Sequence, residues 1–316
     1  MLVFGKALGF DAVGDARRAE AAGYDGVRAI DHFFSGIPPE PPIAVPHVFT
    51  TMGAAAAATT RVRLTQTMVA ATLRHPVEVA QAVATLSRIS GGRAELGMGT
   101  GWLQVEHDAT GLALGPVGER VDRLVEAITI CGAMLRGDGT VAHEGTHFRA
   151  VVDAPWPALP APAPILVGAH GPVMLRRLAP LVDRIDLVEG LVAGVATFTG
   201  PHRNDAEAIA DRLAVARKAA ADAGASEPVF SATVNLTVCA TSAARDDARR
   251  AILASSGGGP EVLDGELLRV VVDGPDAALA AFAALAGLGV DRVHVRPSDP
   301  TTQSWLDEAL PALHAL

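Results

Sequence analysis

Short apolar runs alternate with longer amphipathic stretches along almost the whole chain. Runs such as LVFGKAL (2–8), RVRLTQTMV (61–69) and GRAELGMG (92–99) have the length and composition of buried β-strands. Between them lie stretches such as PVEVAQAVATLSRIS (76–90), whose apolar residues recur at helical spacing and whose proline stands at a helix start. The pattern therefore predicts strands and helices in alternation.

The segment VGERVDRLVEAITICGAMLRG (117–137) predicts a long helix with one apolar face. That face is expected to comprise Val121, Leu124, Val125, Ile128 and Leu135. Residues 140–156 interrupt the alternation and predict a small hairpin insertion. Three further insertions are expected, near residues 33–46, 102–117 and 190–204.

About eight strand–helix units can be counted, the number that a (β/α)₈ barrel requires. The rival architecture, a doubly wound open sheet, needs a glycine-rich turn after its first strand. Here the first strand runs into Leu8-Gly9-Phe10-Asp11, without that fingerprint. We therefore expect an α/β chain folded as one TIM-barrel domain with insertions over residues 1–316.

Charge and cysteine content narrow the classes of partner. The chain has 316 residues, 49% of them hydrophobic, and a net charge of −9, which argues against nucleic acid and anionic membranes as partners. Cys131 and Cys239 are its only cysteines, so neither a disulfide framework nor a structural zinc site is expected. No apolar run reaches membrane length. We expect a cytoplasmic protein that acts on a small molecule.

In a barrel, the functional groups lie where the strands end at their carboxyl termini. Few of the residues expected there are titratable, and neither a metal-ligand pattern nor a GxSxG elbow occurs. Adjacent Glu106, His107 and Asp108 resemble a metal cluster only in sequence, and we expect them to form a solvated face. A site of small residues with one or two imidazoles favours a large organic cofactor.

Four stretches give the chain a resemblance to a known family. These are AGYDGVRAIDHF, the segment from ATTRVRLTQTMV to GGRAELGMGTGW, the VGERVDRLVEAI helix with its EGTHF hairpin, and PAPILVGAHG. Together, and in this order, they resemble the luciferase-like superfamily of flavin- and deazaflavin-dependent oxidoreductases. The match is closest to members that use coenzyme F420, and FMN is the alternative cofactor.

The resemblance implies a cofactor ring lying over the strand ends. It implies a non-proline cis peptide between Thr67 and Met68 against the ring, and a loop along the ring edge or ribityl chain. It also implies backbone N–H groups that bind phosphate at a helix start. The loop residues are Gly99, Thr100 and Gly101, and the phosphate residues are Gly168, Ala169, His170 and Gly171.

The resemblance also assigns chemistry to the end of the second strand. His32 matches a histidine that handles a proton during hydride transfer, and Asp31 is expected to orient its other nitrogen. Trp102, Phe33 and Lys6 are expected at the substrate. For Lys6 a purely structural role outside the barrel is the alternative, since an unpaired buried ammonium is costly.

Two departures from the family pattern bear on the substrate. Trp102 stands where sugar-phosphate dehydrogenases of the family carry an acid, and their phosphate-binding lysines have no counterpart. A small apolar substrate is therefore expected, in agreement with the apolar stretch 191–198. The alternatives are an FMN-dependent monooxygenase supplied by a partner reductase, and a non-catalytic flavin-binding barrel. The resemblance implies a homodimer.

Overall fold

The architecture comes from a computed structural model. It describes residues 2–35, 42–188, 191–192, 195–196, 204–256, 263 and 265–316, and for residues 2–7, 35, 191–192, 195–196 and 255–256 it describes the backbone without the side chains. In chain order, the helices are α1 (Ala12–Ala22), α2 (Val48–Ala58), α3 (Pro76–Ser90), α4 (Gln104–Thr110), α5 (Val117–Arg136), α6 (Pro172–Leu178), α7 (Ala206–Asp222), α8 (Ser242–Ser256), α9 (Pro275–Gly287) and α10 (Pro300–His314).

The strands follow the same order. They are β1 (Leu2–Ala7), β2 (Gly26–Ala29), β3 (Phe34–Ser35), β4 (Ile43–Ala44), β5 (Arg63–Gln66), β6 (Val69–Ala70), β7 (Ala94–Gly99), β8 (Val141–Glu144), β9 (Arg149–Val152), β10 (Ile165–Ala169), β11 (Arg184–Leu187), β12 (Leu191–Val192), β13 (Val195–Ala196), β14 (Val229–Cys239), β15 (Arg269–Asp273) and β16 (Arg292–Pro297).

Eight of these strands close into a parallel barrel. Its order is β1-β2-β5-β7-β10-β11-β14-β16, and β16 pairs with β1 to complete the ring. Arg28 of β2 lies beside Thr65 of β5, and Asp186 of β11 lies beside Ser231 of β14, while the register shifts once between β1 and β2. The expected (β/α)₈ barrel is confirmed, and the rival open sheet is excluded because the ring closes.

Local sequence signals set the helices on the outside of this ring. The side chain of His47 accepts the Thr50 N–H at the start of α2, and α3 begins at Pro76 and ends at Gly91 in the left-handed conformation. On α5, Val121, Leu124, Ile128 and Leu135 are buried as expected, and Val125 packs against the core. The apolar core therefore lies between the helices and the strands. Each aliphatic side chain fully buried in this core stabilises the fold by roughly 1.5–3 kcal/mol.

The inside of the barrel is polar, in contrast to that outer layer. Glu95, Arg184 and Arg292 lie together at the amino-terminal end of the strands, where Arg184 reaches Glu95 Oε2 at 2.7 Å and Arg292 reaches Oε1 at 3.0 Å. Burial disfavours the charged form of Glu95, but the two guanidinium groups outweigh it and hold the pKa of its carboxyl at about 2. This ion cluster is structural, because barrel sites lie at the opposite end.

The insertions are only partly as expected. Strands β8 and β9 form the antiparallel hairpin predicted within 140–156. Strand β15, at Arg269–Asp273, pairs with the upper half of β14 and has no counterpart among the predicted strand–helix units. Insertion 102–117 contains α4, while much of 33–46 and 190–204 lies outside the described residues. Among the helices described, none is both long and apolar enough to cross a membrane.

Candidate active site

His32 stands just after β2, at the carboxyl-terminal face of the barrel, and its side chain is 18% exposed. Its Nδ1 lies 3.0 Å from Oε1 of Glu106, which is almost fully buried on α4. The other oxygen of that carboxylate accepts the backbone N–H of Phe33 at 2.8 Å. A carboxylate only accepts hydrogen bonds, so Nδ1 of His32 carries a proton. In the neutral ring, Nε2 is then the basic nitrogen.

The geometry corrects the expected partner of His32. Asp31 is buried and accepts three hydrogen bonds from Arg74, from Nε at 2.9 and 3.1 Å and from Nη2 at 2.7 Å. Asp31 therefore forms a bidentate ion pair with Arg74 and does not orient the His32 imidazole. Glu106 orients that ring instead. Burial alone would lower the pKa of the Arg74 guanidinium, but its bonds to Asp31 raise it.

Glu106 and His107 also overturn the expectation of a solvated face. His107 is 2% exposed, its Nδ1 lies 2.9 Å from the Leu103 carbonyl oxygen, and its Nε2 lies 2.9 Å from Oγ1 of Thr72. Only Asp108 of the three is exposed. The missed signal is the spacing from Leu103, because positions i+3 and i+4 share its buried helical face. In the part of the chain that is described, no cluster of three or more potential metal ligands occurs.

Trp102 lies beside His32 at the mouth of the barrel. The two rings meet edge to face, with centroids 5.8 Å apart and an interplanar angle of 82°. The loop before Trp102 is held from both sides, since Arg120 donates from Nη1 to the Gly101 carbonyl at 2.6 Å and Thr72 packs against the Gly101 α-carbon. Gly101 has φ +77° and has no room for a Cβ, so only glycine suits this turn.

Met68 is the centre of a platform at the strand ends. The Thr67-Met68 peptide is cis, as the resemblance implied. The Met68 side chain lies next to Gly97, Gly99 and Gly168, and a Cβ on Gly97 would overlap the Gln66 carbonyl oxygen. The glycines therefore serve first to let neighbouring strands and Met68 approach one another. Met68, Thr100 and Gly168 remain half-buried, which leaves this platform accessible from the mouth.

The remaining predicted residues are only partly placed. His170 is 3% exposed with Nδ1 3.0 Å from the Val188 carbonyl oxygen, and Gly171 precedes α6, a helix of seven residues that begins with a proline. Pro172 has no N–H, so the first turn of α6 offers one backbone donor fewer than a helix that starts without proline. Phe33 is exposed beside His32. The Lys6 side chain lies outside the described residues.

Comparison with known proteins supplies the family. The model of the luciferase-like monooxygenase family matches residues 11–309. The chain belongs to this family. A curated F420-dependent glucose-6-phosphate dehydrogenase from Beutenbergia cavernae is 37% identical over 161 residues, which cover 50% of this chain and 46% of the relative. The match thus spans about half the length of that relative.

Solved structures share the fold of this chain over almost its whole length. An F420-dependent secondary alcohol dehydrogenase in complex with an F420-acetone adduct superposes with a TM-score of 0.77 at 18% identity, covering 99% of this chain and 98% of that one. Monooxygenase RslO1 from Streptomyces bottropensis superposes with a TM-score of 0.71 at 23% identity, covering all of both chains. These likenesses establish the luciferase-like barrel and leave the reaction to be argued from the residues.

Proposed function

We propose that this chain is an F420-dependent oxidoreductase that transfers a hydride between the deazaflavin and a small organic substrate. One observation carries the proposal, namely the half-buried His32 held by buried Glu106 at the edge of the Met68 platform. Relatives at 32–37% identity over half the chain are F420-dependent dehydrogenases, which supports the choice of cofactor.

The platform fits a flat, uncharged ring system. Met68 and the glycines around it offer apolar and backbone surface without a charged group, and the buried Thr67 hydroxyl has no hydrogen-bond partner among the described residues. Thr67, Met68, Gly99, Thr100 and Gly101 would hold the ring, and residues 168–171 its phosphate-bearing chain. When bound, F420 would supply or accept a hydride, which carries two electrons and one proton and leaves the second proton of the reaction to the protein.

His32 completes the proton balance. When the substrate is oxidised, its Nε2 takes up the proton that the substrate releases. In the opposite direction, the protonated ring returns a proton to the substrate. Glu106 keeps the proton on Nδ1, fixes the ring plane and stabilises the imidazolium while the second proton is present. Trp102, edge-on to the imidazole, forms the adjacent wall and helps exclude water.

An anaerobic turnover assay tests this function. Reduced F420 is mixed with the protein and a panel of ketones, aldehydes and activated alkenes, and oxidised F420 is followed by absorbance. The proposal predicts oxidation without dioxygen. Turnover that requires dioxygen and reduced FMN would instead indicate a monooxygenase that depends on a partner reductase. Cofactor binding without turnover in either assay would indicate a non-catalytic barrel.

A further inference from the structure

Arg28 places a buried positive charge inside the barrel. Its side chain is 1% exposed, and Nε and Nη1 have no hydrogen-bond partner among the described residues. The residue lies in β2 beside Thr65, whose hydroxyl bonds to Glu95 within the barrel, so Arg28 points inward. Two buried guanidinium nitrogens without hydrogen bonds are costly, and they call for a partner from outside the chain, such as water, an ion or a bound ligand.

The carboxylates inside the barrel are already engaged. Glu95 receives Arg184 and Arg292, as described above. The Asp186 carboxylate accepts hydrogen bonds from the hydroxyl groups of Ser231 and Thr233, with oxygen–oxygen distances of 2.6 and 2.8 Å. Asp186 is near enough to attract Arg28 electrostatically, yet it makes no hydrogen bond to it.

A second guanidinium, that of Arg296, lies close enough to repel Arg28. Burial and then repulsion from Arg296 lower the pKa of Arg28 to about 9, so Arg28 is still charged at neutral pH. Arg296 lies near the end of β16 and is exposed. Burial, and then repulsion from four nearby arginines, hold the pKa of His294 well below its usual value. These are Arg28, Arg296, Arg184 and Arg292. This imidazole is therefore neutral at neutral pH and adds no further positive charge.

Both arginines belong to the end of the barrel that carries the candidate site. Arg28 is the penultimate residue of β2 and pairs with Ala7, the last residue of β1. His32 follows four residues later in the chain, which limits its separation from Arg28 to roughly 14 Å. A small molecule can span the two.

We propose that Arg28, together with Arg296, binds the carboxylate of the organic substrate while His32 faces its reacting carbon. The planar guanidinium fork matches the two oxygens of a carboxylate. The inference rests on the proposed function in placing the reacting carbon at His32. It refines the expected apolar substrate to an apolar body that bears one acid group.

Two isosteric probes test the anion site without turnover. Benzoate and benzamide differ in charge and hardly in shape, and their binding is measured by calorimetry on wild-type protein, Arg28→Gln and Arg149→Gln. Arg149 is a highly exposed arginine on β9 and serves as the matched control. We expect wild-type protein and the control to prefer benzoate by about tenfold or more, and Arg28→Gln to lose the preference. Absence of a preference in wild-type protein, or its survival in Arg28→Gln, overturns the proposal.

Thermal unfolding separates a ligand-binding arginine from a structural one. Arg28→Met removes an uncompensated buried charge and keeps much of the volume, so its Tm without ligand should equal or exceed the wild-type value. A large fall in Tm, or failure to fold, would show that Arg28 holds the barrel together and would overturn the proposal.

F420 titration of the same variants separates the two conclusions. Arg28→Gln should retain F420 affinity. Loss of F420 affinity in Arg28→Gln would show that Arg28 binds an anionic group of the cofactor. That result would overturn the substrate subsite and would support the proposed function. Failure of wild-type protein to bind F420 would overturn the proposed function, and the benzoate comparison would still decide the carboxylate site.

Discussion

Replacing Glu106 by glutamine is the sharpest perturbation of the candidate site. The carboxylate uses one oxygen for His32 Nδ1 at 3.0 Å and the other for the Phe33 N–H at 2.8 Å. A glutamine amide has one oxygen and one NH₂ group, so it can accept from only one of these two donors. Either His32 loses its acceptor or the Phe33 N–H is left facing another donor.

The size of the effect follows from these bonds. A hydrogen bond to a charged group contributes about 1.5–3 kcal/mol, so losing the one to His32 should lower kcat roughly 10- to 100-fold. His32→Ala removes the proton carrier and should lower kcat by about 10²–10⁴-fold. Because Glu106 acts through His32, the double variant should be no slower than His32→Ala.

The assay compares wild-type protein, both single variants and the double variant with reduced F420 and the best substrate of the carbonyl panel. F420 affinity, measured by fluorescence, should stay within about threefold of wild-type in all of them, since neither side chain belongs to the platform. Asp108→Asn is the control, because Asp108 lies exposed on the same helix. Additive losses, or a loss of F420 affinity that parallels kcat, would refute the coupling between Glu106 and His32.

Two further predictions concern the barrel that carries the site. Gly97→Ala would drive a Cβ into the Gln66 carbonyl oxygen and should lower the free energy of unfolding by at least about 1–3 kcal/mol. Gly118→Ala, on α5 where a Cβ meets open space, is the control and should raise it by up to about 1 kcal/mol. Equal urea midpoints for the two variants would contradict this. The depressed pKa of Glu95 means that its ion cluster stabilises the fold above pH 4.5 and that this contribution is lost as the pH falls towards 2. Glu95→Gln should therefore be less stable at pH 7 and lose less stability than wild-type protein between pH 4.5 and 2, as measured by urea unfolding.

Hydrophobic periodicity was sufficient to predict the barrel, because each strand–helix unit buries its own apolar face. It failed at β15, since Arg269–Asp273 is a short apolar run between helices, and a short run alone does not separate strand from buried helix. Strand β15 adds to the upper half of β14, a pairing that depends on the length of β14 and leaves no local mark.

Single residues of the candidate site could be predicted from the sequence, whereas the hydrogen-bonded pairs of side chains within it could not. His32 and the Thr67-Met68 bond came from resemblance, which transfers single positions. Glu106 reaches His32 across 74 positions of sequence, and Arg74 reaches Asp31 across 43. Polar side chains that meet only after folding give no periodic signal, so the charge of each residue was known but its partner was not.

The roles of the glycines before Trp102 also could not be predicted from the sequence. The loop Gly99-Thr100-Gly101 was expected to run along the ring edge or ribityl chain of the cofactor, and the structure shows that Gly101 and the nearby Gly97 are required for packing within the protein. Gly97 admits the Gln66 carbonyl and Gly101 turns the chain against Thr72. Which neighbour excludes a Cβ is a property of the packed barrel and cannot be deduced from the spacing alone.

Titration of the purified protein with F420 and, separately, with FMN shows which of the two cofactors the barrel binds. Quenching or enhancement of cofactor fluorescence reports binding before any substrate is known. We expect saturable binding of F420 that is at least about tenfold tighter than binding of FMN, and we expect excess FMN not to displace bound F420. Tight FMN binding with no measurable F420 binding would contradict it.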